Sequence, residues 1–249
     1  GFASNVDLRG EYNPAMIEVA TDPAATQTSS LILRNITLDD RNGPDGYTDP
    51  FPVSAGSPQP NWADHVYDAV IAAYSPTATI TLEDGANIIN VGGATAIMAL
   101  SATVNINNGS YVEGANASGG TYYGAFWLQG GAVLNFDTVM EGRTISASYI
   151  HTDQPSTVNF TGTIENCTFS KPIFRCTMGG CGVYIGGEIN DNDFVGTQAF
   201  SIGGPGNTAE FSGDFNNNTF TSLSGSAFGI GGSDSSVEFS GTISGNNLT

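Results

Sequence analysis

A unit of 25 to 28 residues that recurs without gaps, apolar residues alternating with polar ones inside it, and Asn, Asp or Gly at its turns together predict an all-β chain. The predicted fold is a right-handed parallel β-helix, a solenoid of roughly eight or nine three-strand rungs, one for each repeat length that fits between residue 15 and the end.

The repeat is clearest in the last third of the chain. The segments VNFTGTIENCTF (158–169), VYIGGEINDNDF (183–194), AEFSGDFNNNTF (209–220) and VEFSGTISGNNL (237–248) align residue for residue. Their apolar anchors Phe160, Ile185, Phe211 and Phe239 are spaced 25, 26 and 28 residues apart. Gly162, Gly187, Gly213 and Gly241 stand two residues after each anchor, followed by Ile164, Ile189, Phe215 and Ile243, and last by Phe169, Phe194, Phe220 and Leu248. Alternation at period two marks strands with one buried and one wetted face. A second strand precedes each unit at 173–176, 199–202 and 227–230, ending nine residues before the next anchor each time. A coil of this length suits one rung of a three-sided parallel helix, since strands rise about 3.3 Å per residue and stack about 4.8 Å apart.

The turns follow from backbone sterics. Asn166, Asp191, Asn217 and Gly245 share one offset, where the chain must turn between two sides, and these residue types accept a positive φ at least cost. The next position holds Cys167, Asn192, Asn218 and Asn246. Stacked side-chain amides there can hydrogen-bond along the coil, with Cys167 replacing the amide in one rung. These asparagines are read as structural, not catalytic.

Upstream the pattern loosens but persists. ATITLEDGANIINVGG (78–93) and ATVNINNGSYVEG (102–114) share the order strand, Asx-Gly turn, strand, and GGAVLNFDTVMEG (130–142) continues it. Residues 29–40 carry Leu31, Leu33, Ile36 and Leu38 in alternation. Two sections interrupt the coil. Residues 41–60, rich in Pro, Gly, Asp and Ser, read as a long surface excursion. Residues 61–74 offer Trp62, Val66, Val70 and Ala73 at helical spacing after a capping Asn61, which allows a short helix over 62–68, while 69–74 reads equally well as a strand of the next rung. The whole chain, 1–249, is expected to be one β-helix domain.

Composition bounds the function. Six Lys+Arg against 24 Asp+Glu give a formal net charge of -18, which repels phosphate backbones and anionic lipid, so no nucleic-acid partner is expected. No apolar run of membrane-spanning length occurs, so no membrane insertion is expected either. Low charge density, one lysine (Lys171) and 33 Gly suit a secreted β protein, expected as a monomer. The chain begins without a leader and stops inside the repeat, so it is expected to be a fragment of a larger exported protein. Three cysteines allow at most one internal bridge. Cys176 and Cys181 are the pair that could form it, and free apolar thiols in the core are the favoured alternative.

The phrases LILRNITLDD, ATITLEDGANIINVGG, TAIMALSATVNINNGSYVEG and the recurrent FSGxxxxN resemble the adhesin-like β-helix proteins of gut Firmicutes and methanogens, and more broadly the pectate-lyase-like right-handed β-helices. The resemblance covers roughly residues 15–248 and rests on fold-building positions. It implies an extracellular, cell-wall-attached surface protein in which the coil is a stalk or presents a binding face to a glycan or a host protein. Where lyases of this kind hold calcium with several carboxylates and use Arg or Lys as a base, this chain offers only Arg143, Lys171 and Arg175 beyond residue 41, none in a recognisable motif. A non-enzymatic module is therefore preferred to a polysaccharide-degrading enzyme.

Candidate sites are few. For the enzymatic alternative, Glu188 and Asp214 share one repeat offset and would face solvent one rung apart, as an acid and base pair on a sugar polymer. Asp40, Asn42 and Asp45, with Gly46 and Asp49 nearby, resemble a calcium loop with one residue inserted and no terminal Glu, and an ordinary acidic loop explains them as well. Calcium is the only cofactor the residues raise. Trp62, Tyr122, Tyr123 and Trp127 can offer flat faces to sugar rings or pack between rungs. His65 and His151 lie far apart with no nucleophile motif, which leaves a catalytic triad unsupported.

Overall fold

The computed structural model describes residues 17–19, 26–39, 69–89, 91, 95–113, 124–152, 154–223 and 225–249. Every regular element among them is a strand, and every strand pair is parallel. The first sheet runs from Ile17–Val19 through Ala69–Ala73, Thr95–Leu100, Phe126–Gln129, Ile150–Thr152, Phe174–Cys176 and Phe200–Ile202 to Phe228–Ile230. The second runs from Ser29–Leu33 to Ser236–Phe239 and is likewise eight-stranded. Each takes one strand from every coil, which is the architecture of a right-handed parallel β-helix.

The repeat stacks as its spacing requires. Phe160, Ile185, Phe211 and Phe239 are successive register partners, as are Phe174, Phe200 and Phe228 on the first sheet. Identical positions therefore meet, and their rings pile up along the axis. Phe169, Phe194 and Phe220 stack at centroid separations of 5.3 and 4.7 Å, Phe136 lies on Phe160 at 5.2 Å, and Phe211 on Phe239 at 4.7 Å. Pairs of this kind add about 0.5–1.5 kcal/mol each beyond the area they bury.

The sides of the coil are not uniform. In the first three rungs the third side is a three-stranded sheet of Thr37–Asp39, Asn87–Ile89 and Tyr111–Val112. The expected three strands per rung give way to four in the later rungs, where two five-stranded sheets replace it. The cause is the predicted turn: Asn166, Asp191, Asn217 and Gly245 have φ of 54, 57, 56 and 65°, and the left-handed residue breaks what would be one strand into two. Thus Thr163–Glu165 and Thr168–Phe169 flank Asn166.

Behind each turn runs the amide ladder. Asn192 Nδ2 donates to Asn218 Oδ1 at 3.0 Å, and Asn218 Nδ2 to Asn246 Oδ1 at 3.1 Å. The same oxygens accept the backbone N–H of Asn192 and Asn218, and Asn192 Oδ1 accepts that of Cys167 at 2.9 Å. Cys167 takes the amide's place: its sulfur accepts the Arg143 N–H at 3.4 Å and faces the Met140 carbonyl at 3.6 Å. A second ladder crosses the outward side of the second sheet, from Asn159 through Asn135 and Asn105 to Thr81.

Two expectations resolve differently from their favoured or balanced form. Cys176 and Cys181 are joined in a disulfide, not left as two thiols, because the positive-φ turn at Gly179 and Gly180 folds the five-residue span back on itself. Cys167 is the free, buried thiol. Ala69–Ala73 is a strand with all five residues buried, so the helix-like spacing of Val70 and Ala73 is incidental. The helix expected at 62–68 and the excursion at 41–60 lie outside the described residues.

Candidate functional site

The three-stranded sheet carries the site. Ile88 and Val112 point into the core, with Leu38 packed beside them, so alternation turns Thr37, Asn87 and Tyr111 outward in one row. Ile89 and Glu113, two residues on from Asn87 and Tyr111, face the same way. Thr37, Asn87, Ile89, Tyr111, Glu113 and Arg143 line a cleft of about 420 Å³.

Arg143 reaches this cleft from the next rung, just after the left-handed turn at Gly142, φ 65°. Its backbone is fixed by the N–H bond to the Cys167 sulfur. Its guanidinium carbon lies 4.4 Å from the centre of the Tyr111 ring, where the ring's electron-rich face attracts the cation. Among the described residues this guanidinium meets no carboxylate, whereas Arg34 pairs with Glu83 between the first two rungs.

The Tyr111 strand is held from beneath. Tyr149 is fully buried, and its hydroxyl donates to the Val112 carbonyl at 2.8 Å. Burial pushes the Tyr149 hydroxyl well above its ordinary pKa. Burial also pushes Tyr111 up to about 12; Arg143 opposes that rise, while Glu113 and Cys167 add to it. Both rings are therefore neutral hydrogen-bond donors at physiological pH. Around the cleft the guanidinium supplies N–H donors, the Glu113 carboxylate accepts, Thr37 and Asn87 do both, and Ile89 adds an apolar wall. Such alternation suits a polyhydroxylated ligand.

The residues singled out from sequence fall elsewhere. Glu188 and Asp214 do lie one rung apart on the outward side, with the Ile189 N–H bonded to the Asp214 carbonyl at 2.8 Å. Glu188 is exposed and accepts from Asn190 Nδ2 at 3.4 Å, while Asp214 Oδ1 accepts the Thr242 N–H at 3.2 Å. Asp214 thus tethers the next rung. Trp127 is 8% exposed, on the outward side of the first sheet, in a cluster with Ala69, Ala72, Tyr74 and Met98. His151, its register partner, is buried too. Asp40, Asn42, Asp45, Trp62, Tyr122, Tyr123 and His65 lie outside the described residues.

Sequence reasoning passed over Tyr111, Glu113, Asn87 and Thr37. One signal was present: Arg143 is one of three cations beyond residue 41, and Tyr111 precedes the inward Val112. Their meeting depends on how the third side changes between rungs three and four, which repeat alignment does not give. Comparison with protein-family models, with curated proteins and with solved structures returns no match for this chain.

Proposed function

We propose that this coil is a non-catalytic, adhesin-like module of a cell-surface protein, exported from the cell, which presents a glycan-binding face on a rigid stalk. The observation that carries the reading is the cleft on the three-stranded sheet, where Tyr111, Arg143, Glu113, Asn87 and Thr37 converge on a framework stitched rung to rung. The Cys176–Cys181 bridge supports an oxidising, extracellular setting. The repeat architecture supports the stalk role, because each rung is fastened only to its neighbours and the rod's length scales with their number. Likeness of the sequence to adhesin-like β-helices of gut bacteria and methanogens points the same way.

The competing reading, a polysaccharide hydrolase using Glu188 and Asp214, asks Asp214 to leave a backbone bond it holds to the next rung. Screening the purified chain against mucins, plant and bacterial glycans and host surface proteins tests the proposal. Binding that is lost in Tyr111→Ala and Arg143→Ala is the expected result. Absence of binding to every class would reduce the module to a spacer, and polysaccharide turnover that vanishes in Glu188→Gln would replace the proposal with the enzyme.

A further inference from the structure

We infer that the cleft recognises a sugar ring bearing a carboxylate, with Arg143 as the group that binds the charge; the inference rests on the glycan-binding reading above. The chain carries 24 acidic and six basic residues, so the cleft sets one of its few cations at the surface. Arg143 is exposed, faces the cleft and, among the described residues, meets no carboxylate, whereas Arg34 in the first rung pairs with Glu83.

Arg143 is also pre-positioned. The Tyr111 ring holds the guanidinium 4.4 Å from its centre, and the Cys167 sulfur holds the backbone, so little side-chain freedom remains to be lost when a ligand binds. A guanidinium so held keeps N–H donors for a planar carboxylate, which it can grip at two points. Tyr111 and Glu113 are two residues apart on one strand face, about 7 Å by strand geometry. That distance separates the cationic end of the cleft from an accepting end, so a ring can set its carboxylate on Arg143 and its hydroxyls on Glu113 and Asn87. Ile89 offers an apolar surface for the C–H face of the ring.

The net charge of -18 then sets selectivity. Its repulsion grows with every charge on the ligand, so singly charged termini are admitted more readily than densely sulfated chains.

The test is an array on which oligosaccharides ending in uronic or sialic acid each stand beside the same oligosaccharide with its carboxyl reduced to an alcohol. The acidic member of at least one pair is expected to bind ten-fold or more tightly in low salt. That preference should disappear in Arg143→Ala, survive in part in Arg143→Lys, and shrink as salt is raised, with circular dichroism of the variants unchanged. Equal binding of acidic and reduced members would overturn the inference while leaving a glycan-binding module in place. Preference that persists in Arg143→Ala would overturn the role of Arg143. Failure of every acidic glycan to bind overturns the inference too, and the wider screen of glycans and proteins then decides separately whether the module binds anything.

Discussion

At the residue scale the most informative side chains are those of the amide ladder. Asn218 makes its bonds in two directions, accepting from Asn192 and donating to the Ile189 carbonyl and to Asn246. Asn218→Ala strands the buried Asn192 N–H and the Ile189 carbonyl, and is expected to lower stability by about 2–4 kcal/mol, roughly two unsatisfied buried groups. Cys167→Asn is the converse experiment. The Met140 carbonyl and Arg143 N–H already stand where an amide would be satisfied, so this substitution should leave the midpoint of denaturant unfolding unchanged or raise it. A fall of more than about 1 kcal/mol would mean that the space behind the turn, not the missing bond, selects the thiol.

Tyrosines set an alkaline limit on the same scale. An unfolded chain gives up a tyrosine proton near pH 10, whereas Tyr111 holds its proton to about 12 and Tyr149 and Tyr74 hold theirs well above the ordinary value, all chiefly through burial. Between those values the unfolded state binds fewer protons than the folded one, so stability is fully present below pH 10 and declines as pH rises through the window. Urea midpoints measured from pH 8 to 12 should be flat at first and then fall. Tyr149→Phe should reduce the alkaline slope, and at neutral pH it should cost about 1 kcal/mol for its lost bond to Val112.

At the scale of elements, glycine governs how closely one rung can lie on the next. A Cβ built on Gly213 would collide with the Gly187 carbonyl oxygen, and one on Gly241 with that of Gly213. Gly213→Ala is therefore expected to destabilise by about 1–3 kcal/mol, the usual cost of overpacking, read as a shift in thermal midpoint. This contact also shows what could be read from the chain beforehand. The glycine column, the phenylalanine stacks, the left-handed turns and the amide ladder all repeat at a fixed offset, so alignment of the chain with itself placed them. The cleft repeats at no offset. Tyr111 and Arg143 meet only because the third side is built as one sheet in the early rungs and as two in the later ones, and the sequence pointed to the Cys176–Cys181 pair but not to its bonding, because bridge geometry depends on the turn at Gly179 and Gly180.

At the scale of the molecule, protection should follow the packing between rungs. Amide hydrogen exchange is expected to be slowest around Phe126, Phe136 and Tyr149, whose rings pack edge to face in the interior, and faster at the exposed left-handed turns of Asn166, Asp191 and Asn217. Uniform exchange along the rod would mean that it opens as a single unit.

The in-register pairing of Val183 with Ala209 means that residues 183–208 form a cassette. Cutting them out joins Gly182 directly to Ala209, in the place Val183 held, and sets the Cys167 N–H against the Asn218 amide. The shortened rod should fold with its remaining faces in phase, about 4.8 Å shorter, and removal of one residue more or fewer should throw every later side chain onto the wrong face.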